Sequence, residues 1–587
     1  MKKTSHDEKL SAREARPVKT VNLEVMEKEE AAPDDSPHQN LVKSLWRGYL
    51  ERKKLAVPLT VLLVFGVVFG IPWSRYKVLG LTVKKSFSVI VVDSKTGKPV
   101  SEAEVSLAGR AVKTDGEGKA IIEKNPVGSS RLAVKKKYYR DHDEKVLVAL
   151  GASKNNKEIR LEATGRQVPL SITNKISGQG LKGVKITVLD IEAEADEKGE
   201  ATIVLPADKV TEKVTLRLNG YNDTTAEIDI SEQLTDKNKL SLTPSGKLYF
   251  LSKRSGKIDV VKTNLDGSDR QVVLAGTGKE QEASTILLAS RDWKYLALHT
   301  RREGDKAKLY LIDTSNDKLT VMDEGNAFFD VVGWKDDSFV FIVNRQNVPE
   351  QHPKRYALKA FSASKKSLNT LDETDAIVTR WSQVYQTFDR PYITKQGIVY
   401  VKRWYAAGYV SNVIGKEVAI ALVRSDGSGK KDLKTFPAQS INYIDTRSYA
   451  PDEIYFFAQQ FGNIKPEYFE YEDGVVKPAN IDSGQFEQPY PTFLFSPSGN
   501  ATFWAEPRDG KNTLFVGDAS GKEAKEINTA SELTAYGWHG EDYLLASKKG
   551  SELFILSKEK NATPLKITDY HKPNFDAAGY GYGYGGL

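Results

Sequence analysis

The chain contains no cysteine. That excludes disulfides, a thiolate nucleophile, and zinc or iron–sulfur sites built on cysteine. Stability must come from buried apolar surface. Histidine is scarce as well. His6, His38, His142, His299, His352, His539 and His571 are the full set, and none forms HExxH or another close ligand pair. Each therefore reads as a surface or packed side chain. There is no G-x-S-x-G, so a serine nucleophile elbow is missing. Residues 517–522, GDASGK, fall one residue short of a phosphate loop and lack its final Ser or Thr. Residues 264–269, NLDGSD, start like a calcium loop but lack the twelfth-position Glu. The chain is accordingly read as a non-enzyme, with no catalytic residue, cofactor or metal expected. An excess of one charge is missing too: 85 Lys+Arg oppose 78 Asp+Glu, a net +7 spread over 587 residues. That is too dilute for a nucleic-acid groove.

Long apolar runs are rare, and one stands out. Residues 55–73, LAVPLTVLLVFGVVFGIPW, carry no charge. At about 1.5 Å per residue they reach roughly 28 Å, close to the thickness of a bilayer core. They are read as a transmembrane helix (55–75) contacting the lipid bilayer. The expected localisation is a single-pass cell-membrane protein, with the N-terminus cytoplasmic and the C-terminal domains extracytoplasmic. Residues 1–54 mix charge with Pro and Ser and are expected to be a disordered cytoplasmic tail.

After residue 77 the texture becomes strand-like, with apolar and polar residues alternating between turn signals. The pattern repeats: TDGEGKA at 114–120 matches ADEKGEA at 195–201, and KKKYYRD at 135–141 matches RLNGYND at 217–223. Two tandem copies of one module are expected, over 78–164 and 165–244. The run Lys135, Lys136, Lys137 reads as a solvated strand edge that blocks edge pairing, or as an anionic-surface contact.

The stretch DSKTGKPVSEAEV at 93–105, followed by TDGEG at 114–118, resembles the carboxypeptidase regulatory-like family. That resemblance implies transthyretin-like β-sandwiches serving as spacers rather than active sites. It is weaker over the second copy, where GQGL at 178–181 replaces the Gly-Lys-Pro-Val turn.

From Gly246 a strand–turn–strand unit recurs about every 40–60 residues, the sequence form of a propeller blade. The SPSG turn at 496–499 and the Asp-Gly hairpins at 266–267 and 426–427 resemble TolB-like, WD40-like β-propellers. The expected fold class is all-β: two β-sandwich modules and a roughly seven-bladed propeller (245–575) after one N-terminal helix. The first blade lacks an innermost strand, which residues near 569–575 are expected to supply. Residues 576–587 form a Gly/Tyr tail.

Three long connections should open on one propeller face, at 344–355, 374–391 and 402–416. They carry Arg345, Arg355, Arg380, Trp381, Tyr385, Arg403, Trp404, Tyr405 and Tyr409. Trp, Tyr and Arg together suit a binding hot spot or sugar stacking. The alternative is that they pack the loops down on the propeller. The expected function is an extracytoplasmic binding or scaffold protein for a protein or envelope-polysaccharide partner. A propeller-based glycan-active enzyme, or a signalling or assembly protein working through its cytoplasmic tail, are the alternatives.

Overall fold

The computed structural model describes residues 53–70, 76, 79–151, 154–206, 208–231, 238–349, 352–379, 382–407, 417–437, 443–450, 453–459, 465–487, 493–508, 510–528, 532–548 and 551–569. For residues 53, 55–56, 65, 67–69, 376–379, 382–385, 390, 404–407, 437, 443–450 and 569 it describes the backbone only. The expected N-terminal tail, the Gly/Tyr tail and most of the expected closing strand lie outside the described residues.

Two compact units divide the chain: residues 1–85 with 126–129, and all the rest. The smaller unit holds the helix α1, Lys53–Gly70, of 18 residues. Two of these are the lysines at its start. Residues 71–75 of the expected helix lie outside the described residues. Among the described residues no helix is long and apolar enough to cross a membrane. The expected bilayer-spanning segment over 55–73 is therefore not found, and the single-pass localisation, with its cytoplasmic N-terminus, is withdrawn with it.

The larger unit is built of strands. The first seven are β1 (Lys84–Asp93), β2 (Glu104–Leu107), β3 (Arg110–Lys113), β4 (Lys119–Pro126), β5 (Gly128–Lys135), β6 (His142–Val148) and β7 (Asn156–Leu161). They form sheets of order β4-β1-β7 and β3-β2-β5-β6. The next seven are β8 (Arg166–Asn174), β9 (Lys185–Val188), β10 (Ile191–Glu194), β11 (Glu200–Leu205), β12 (Thr211–Arg217), β13 (Thr224–Asp229) and β14 (Asn238–Leu242). Their sheets, β11-β8-β14 and β10-β9-β12-β13, repeat the first order strand for strand. In the second copy, apolar residues from both sheets, Leu170, Ile172, Ile186, Leu205, Val214 and Ile228 among them, form one core.

The recurring motifs have local causes. Asp115 accepts the amides of Glu117 and Lys119 at 3.0 and 2.9 Å, closing the TDGEG turn. Asp196 does the same for Lys198 and Glu200 at 2.9 and 2.8 Å. Asp93 accepts the amides of Lys95 and Thr96, and Asn174 takes that role in the second copy, accepting Ile176 and Ser177. Short Asx side chains close such turns because they reach their own backbone two or three residues on.

The lysine run is not a free strand edge. Lys136 donates to the carbonyls of Glu102, at 3.2 Å, and of Glu192 in the second copy. Around it Lys113 pairs with Glu102 and Glu192, Lys185 with Glu102 and Glu194, and Lys137 with Asp190. Burial holds the Lys136 ammonium down to about 8. The run is the joint between the two copies.

Seven sheets follow in chain order. The first has three strands, Lys247–Ser252, Asp259–Asn264 and Gln271–Leu274. Five of the others have four strands and one has five. Register shifts recur between the last two strands of most sheets, at Val260/Val261, Leu309/Tyr310, Leu358/Lys359, Ile420/Ala421, Leu514/Phe515 and Leu553/Phe554. One repeated unit with a bulge at one place is the simplest account. Cores are shared by neighbouring sheets, as with Leu309, Phe329 and Phe341 of the second and third.

Among the described residues the first and seventh sheets share no strand. Leu565–Asp569 is the outer strand of the seventh sheet, so Asp569 does not complete the first. Instead Leu248, Phe250 and Val260 of the first sheet share a core with Leu545, Ile555 and Ile567 of the seventh. Gly267, at φ +82°, sits where a Cβ would meet the Ile567 carbonyl at 2.3 Å. Trp334 donates to Leu288 O at 3.1 Å and Trp538 to Leu494 O at 2.8 Å, each reaching the innermost strand of the preceding sheet. Trp293 of the second sheet reaches past the three-stranded first sheet to Trp538 O at 2.7 Å.

Candidate functional site

The third sheet has strands Ala327–Lys335, Ser338–Arg345, Tyr356–Ser362 and Ser367–Glu373. The loop between its second and third strands is held from both ends. The Arg345 amide donates to Arg355 O at 2.9 Å. The Arg345 side chain donates to Lys354 O and pairs with Glu373 at 3.3 Å. Arg355 is buried and its guanidinium donates to Val348 O. Both arginines are thus engaged in fastening the loop.

The fourth sheet differs from the sequence reading. Most of 374–391, read as a loop, is strand: Ala376–Thr379 and Ser382–Ile393 pair with each other, and the latter pairs with Ile398–Ala407. Val, Tyr, Thr and Phe dominate these stretches, and such residues favour strands. The next strand, Glu417–Val423, pairs only with 398–402. Residues 403–407 and their partners 383–387, with Ala376–Thr379 paired to 382–385, therefore extend past Glu417–Val423 at the open end of this strand pair, the hairpin turn lying at 394–397. In the ladder Tyr385 lies opposite Tyr405, Gln386 opposite Trp404 and Thr387 opposite Arg403. Arg403 is ion-paired with Asp389 at 3.6 Å. Arg380, Trp381 and Tyr409 lie outside the described residues.

At the root of this extension, Asp372 receives Lys402 at 3.0 Å, Lys430 at 2.6 Å and the Tyr400 hydroxyl at 2.8 Å. Burial opposes its charge, but these partners hold the carboxyl below its usual range. This cluster ties the third and fourth sheets together.

Three residues that sequence reasoning passed over lie on the same face. Phe328, on the innermost strand of the third sheet, is 46% exposed, the one exposed ring among the Phe, Tyr and Trp side chains whose surroundings are described. The Arg301 guanidinium, from the connection after the second strand of the second sheet, stands 5.5 Å from its ring centre. Asp330 follows two residues after Phe328 on the same strand face. Burial alone pushes its carboxyl up to about 6. The alternation FFDVV was the only sequence signal, and it reads equally as core. On the other face of that strand, Phe329 packs edge-on against His299 at 6.1 Å. Burial pushes His299 down to about 4 and keeps it neutral. Among the described residues no group of three His, Asp or Glu is placed to hold a metal ion.

No family model matches the chain, and no curated protein matches it. Solved structures do. The β-propeller domain of the Trilobed protease from Pyrococcus furiosus is 13% identical, with 56% of this chain and 93% of that one covered and a TM-score of 0.31. Oligogalacturonate lyase from Vibrio parahaemolyticus is 11% identical, over 55% and 85%, with a TM-score of 0.30. TolB from Acinetobacter baumannii is 13% identical, over 53% and 74%, with a TM-score of 0.24. Such likeness concerns the fold alone, a β-propeller. The matches include peptidases, a lyase and a lactonase, so the reading of this chain as a non-enzyme is withdrawn. A recessed carboxyl such as that of Asp330 is the kind of group acid–base chemistry uses.

Proposed function

We propose that the chain is a binding or scaffold protein. Two carboxypeptidase regulatory-like β-sandwiches, over 78–164 and 165–244, carry a seven-bladed propeller over 245–575, whose face at the third and fourth blades takes a protein or a polysaccharide. The observations that carry this reading are the extension of 376–379, 383–387 and 403–407 past Glu417–Val423 in the fourth sheet, and the fastening of Arg345 and Arg355 in the third. An extended, firmly rooted strand pair offers backbone and side-chain contacts without ordering cost on binding.

The continuous connection of the modules supports the same reading. Gln167 of the second module donates to Asp93 of the first at 2.6 Å. Lys175 pairs with Asp266 of the propeller at 2.7 Å. Spacers joined this way hold a propeller face in a set direction. A glycan-active enzyme using this face is the second reading, favoured by Asp330. The test is retention of the full chain on purified polysaccharides and proteins from its own cells, wild type against Arg403→Ala with Asp389→Ala. Equal retention of both forms would remove the extension from the interface. Release of sugar ends during retention would select the enzymatic reading.

A further inference from the structure

We propose that Phe328, Arg301 and Asp330 form a subsite for one pyranose ring of a polysaccharide. This rests on the reading of the propeller face as a binding platform and names the class of ligand it takes.

The argument begins with exposure. Among the Phe, Tyr and Trp side chains whose surroundings the structure describes, Phe328 alone is open to solvent, and it stands on an innermost strand. Arg301 stands over this ring at 5.5 Å, and its Nη1 donates to Asp305 O at 3.0 Å, which fixes the guanidinium in place. Its Nε is buried without a partner. Asp330, on the same strand face as Phe328, accepts no hydrogen bond from the described residues, and burial is the one influence among them on its carboxyl. A flat apolar surface, a fixed donor and a recessed acceptor thus occupy one corner of the face.

The combination decides between ligands. A lysine or arginine from a protein partner would suit Asp330, but it would have to approach past the Arg301 charge. An acidic side chain would suit Arg301 and be repelled by Asp330. A sugar ring meets all three groups at once. Its C–H face lies on the phenyl ring, one hydroxyl accepts from the guanidinium, and another donates to the carboxylate. No net charge need be buried, and each polar group gains a partner.

The test uses the full chain and immobilised oligosaccharides: neutral glucans, galactans, N-acetylhexosamine oligomers and uronate polymers. The expected result is that at least one is bound and that Phe328→Ala and Asp330→Asn each weaken binding by about tenfold or more. Phe328→Tyr, which keeps the ring, restores it. Thermal unfolding of Phe328→Ala should match the wild type, since the ring packs little. Binding that both substitutions leave within about twofold overturns the subsite while the platform stands. Retention of a protein partner with no oligosaccharide bound does the same. Loss of every kind of retention overturns the subsite and the platform together.

Discussion

Asn174 donates to the hydroxyl of Tyr543 at 2.9 Å, across the junction between the second module and the last propeller sheet. Its counterpart in the first module, Asp93, accepts from Gln167 of the second. One position of the repeated turn therefore serves twice as the docking point for whatever follows it. The same junction carries Lys175 and Thr243 on Asp266. There burial works against the charge, but the bonds from Lys175, Ser268 and Thr243 hold the carboxyl down to about 2. Tyr543→Phe removes the hydroxyl that bonds both Asn174 and Tyr221, and leaves Asn174 its own bond to Tyr221 at 3.1 Å. The expected cost is about 0.5–1.5 kcal/mol. Denaturant unfolding of the full chain, with faster proteolysis between module and propeller, checks it.

The joint between the two modules should respond to alkaline pH. Lys136 is held down to about 8 against an ordinary 10.5. Between those values the unfolded chain holds more protons than the folded one, so this residue makes stability rise with pH across that window. The contribution is about 1–3 kcal/mol at most. Thermal unfolding of wild type and Lys136→Met at pH 7.5 and 9.5 should show the wild type gaining relative to the variant. An unchanged difference would place the ammonium in water.

Trp538 is fully buried and serves twice, donating to Leu494 O and accepting from Trp293 through its own carbonyl. Trp538→Phe keeps the carbonyl but loses the indole donor and part of the packing. The expected loss is about 2–4 kcal/mol, measured as the midpoint of denaturant unfolding. Trp293→Phe breaks the bond that spans the three-stranded sheet, and the account expects a loss of similar size.

Asp330 should destabilise the folded chain at neutral pH. Its carboxyl is raised from 3.8 to about 6, so between pH 4 and 6 the folded state holds more protons, and stability falls as pH rises through that window. Asp330→Asn should remove this fall and stabilise the chain at pH 7 by about 1–3 kcal/mol. Stabilisation coupled with lost ligand retention is the signature of a residue kept for a site. Melting at pH 4.5 and 7 distinguishes it from a neutral surface change.

Much of this was legible in the chain. The turns at Asp93, Asp115 and Asp196 announce themselves because an Asx side chain bonds its own backbone, a cause confined to a few residues. The strand alternation after Gly246 likewise gives the repeated sheets. Features that depend on distant partners were not legible. Lys136 belongs to a run of three lysines, and only Glu192, 56 residues on, encloses it. The strand pair at 383–387 and 403–407 was read as loop because its Arg, Trp and Tyr look like contact residues, although the same residues favour strands. The apolar run at 55–73 matches a membrane span in length, yet among the described residues no helix is long and apolar enough to cross one. Phe328 was missed because exposure on an innermost strand is decided by neighbouring sheets.

The central claim is that the face opening between the second and third strands of each sheet is the binding surface. Site-directed photocrosslinking tests it most directly. A benzophenone side chain is placed at position 328 on that face, or at position 336 in the turn at the opposite end of the same strand, and the full chain is irradiated in its own cells. The account predicts adducts of defined size from position 328 and none from position 336. Adducts from position 336, or none from position 328, would contradict it.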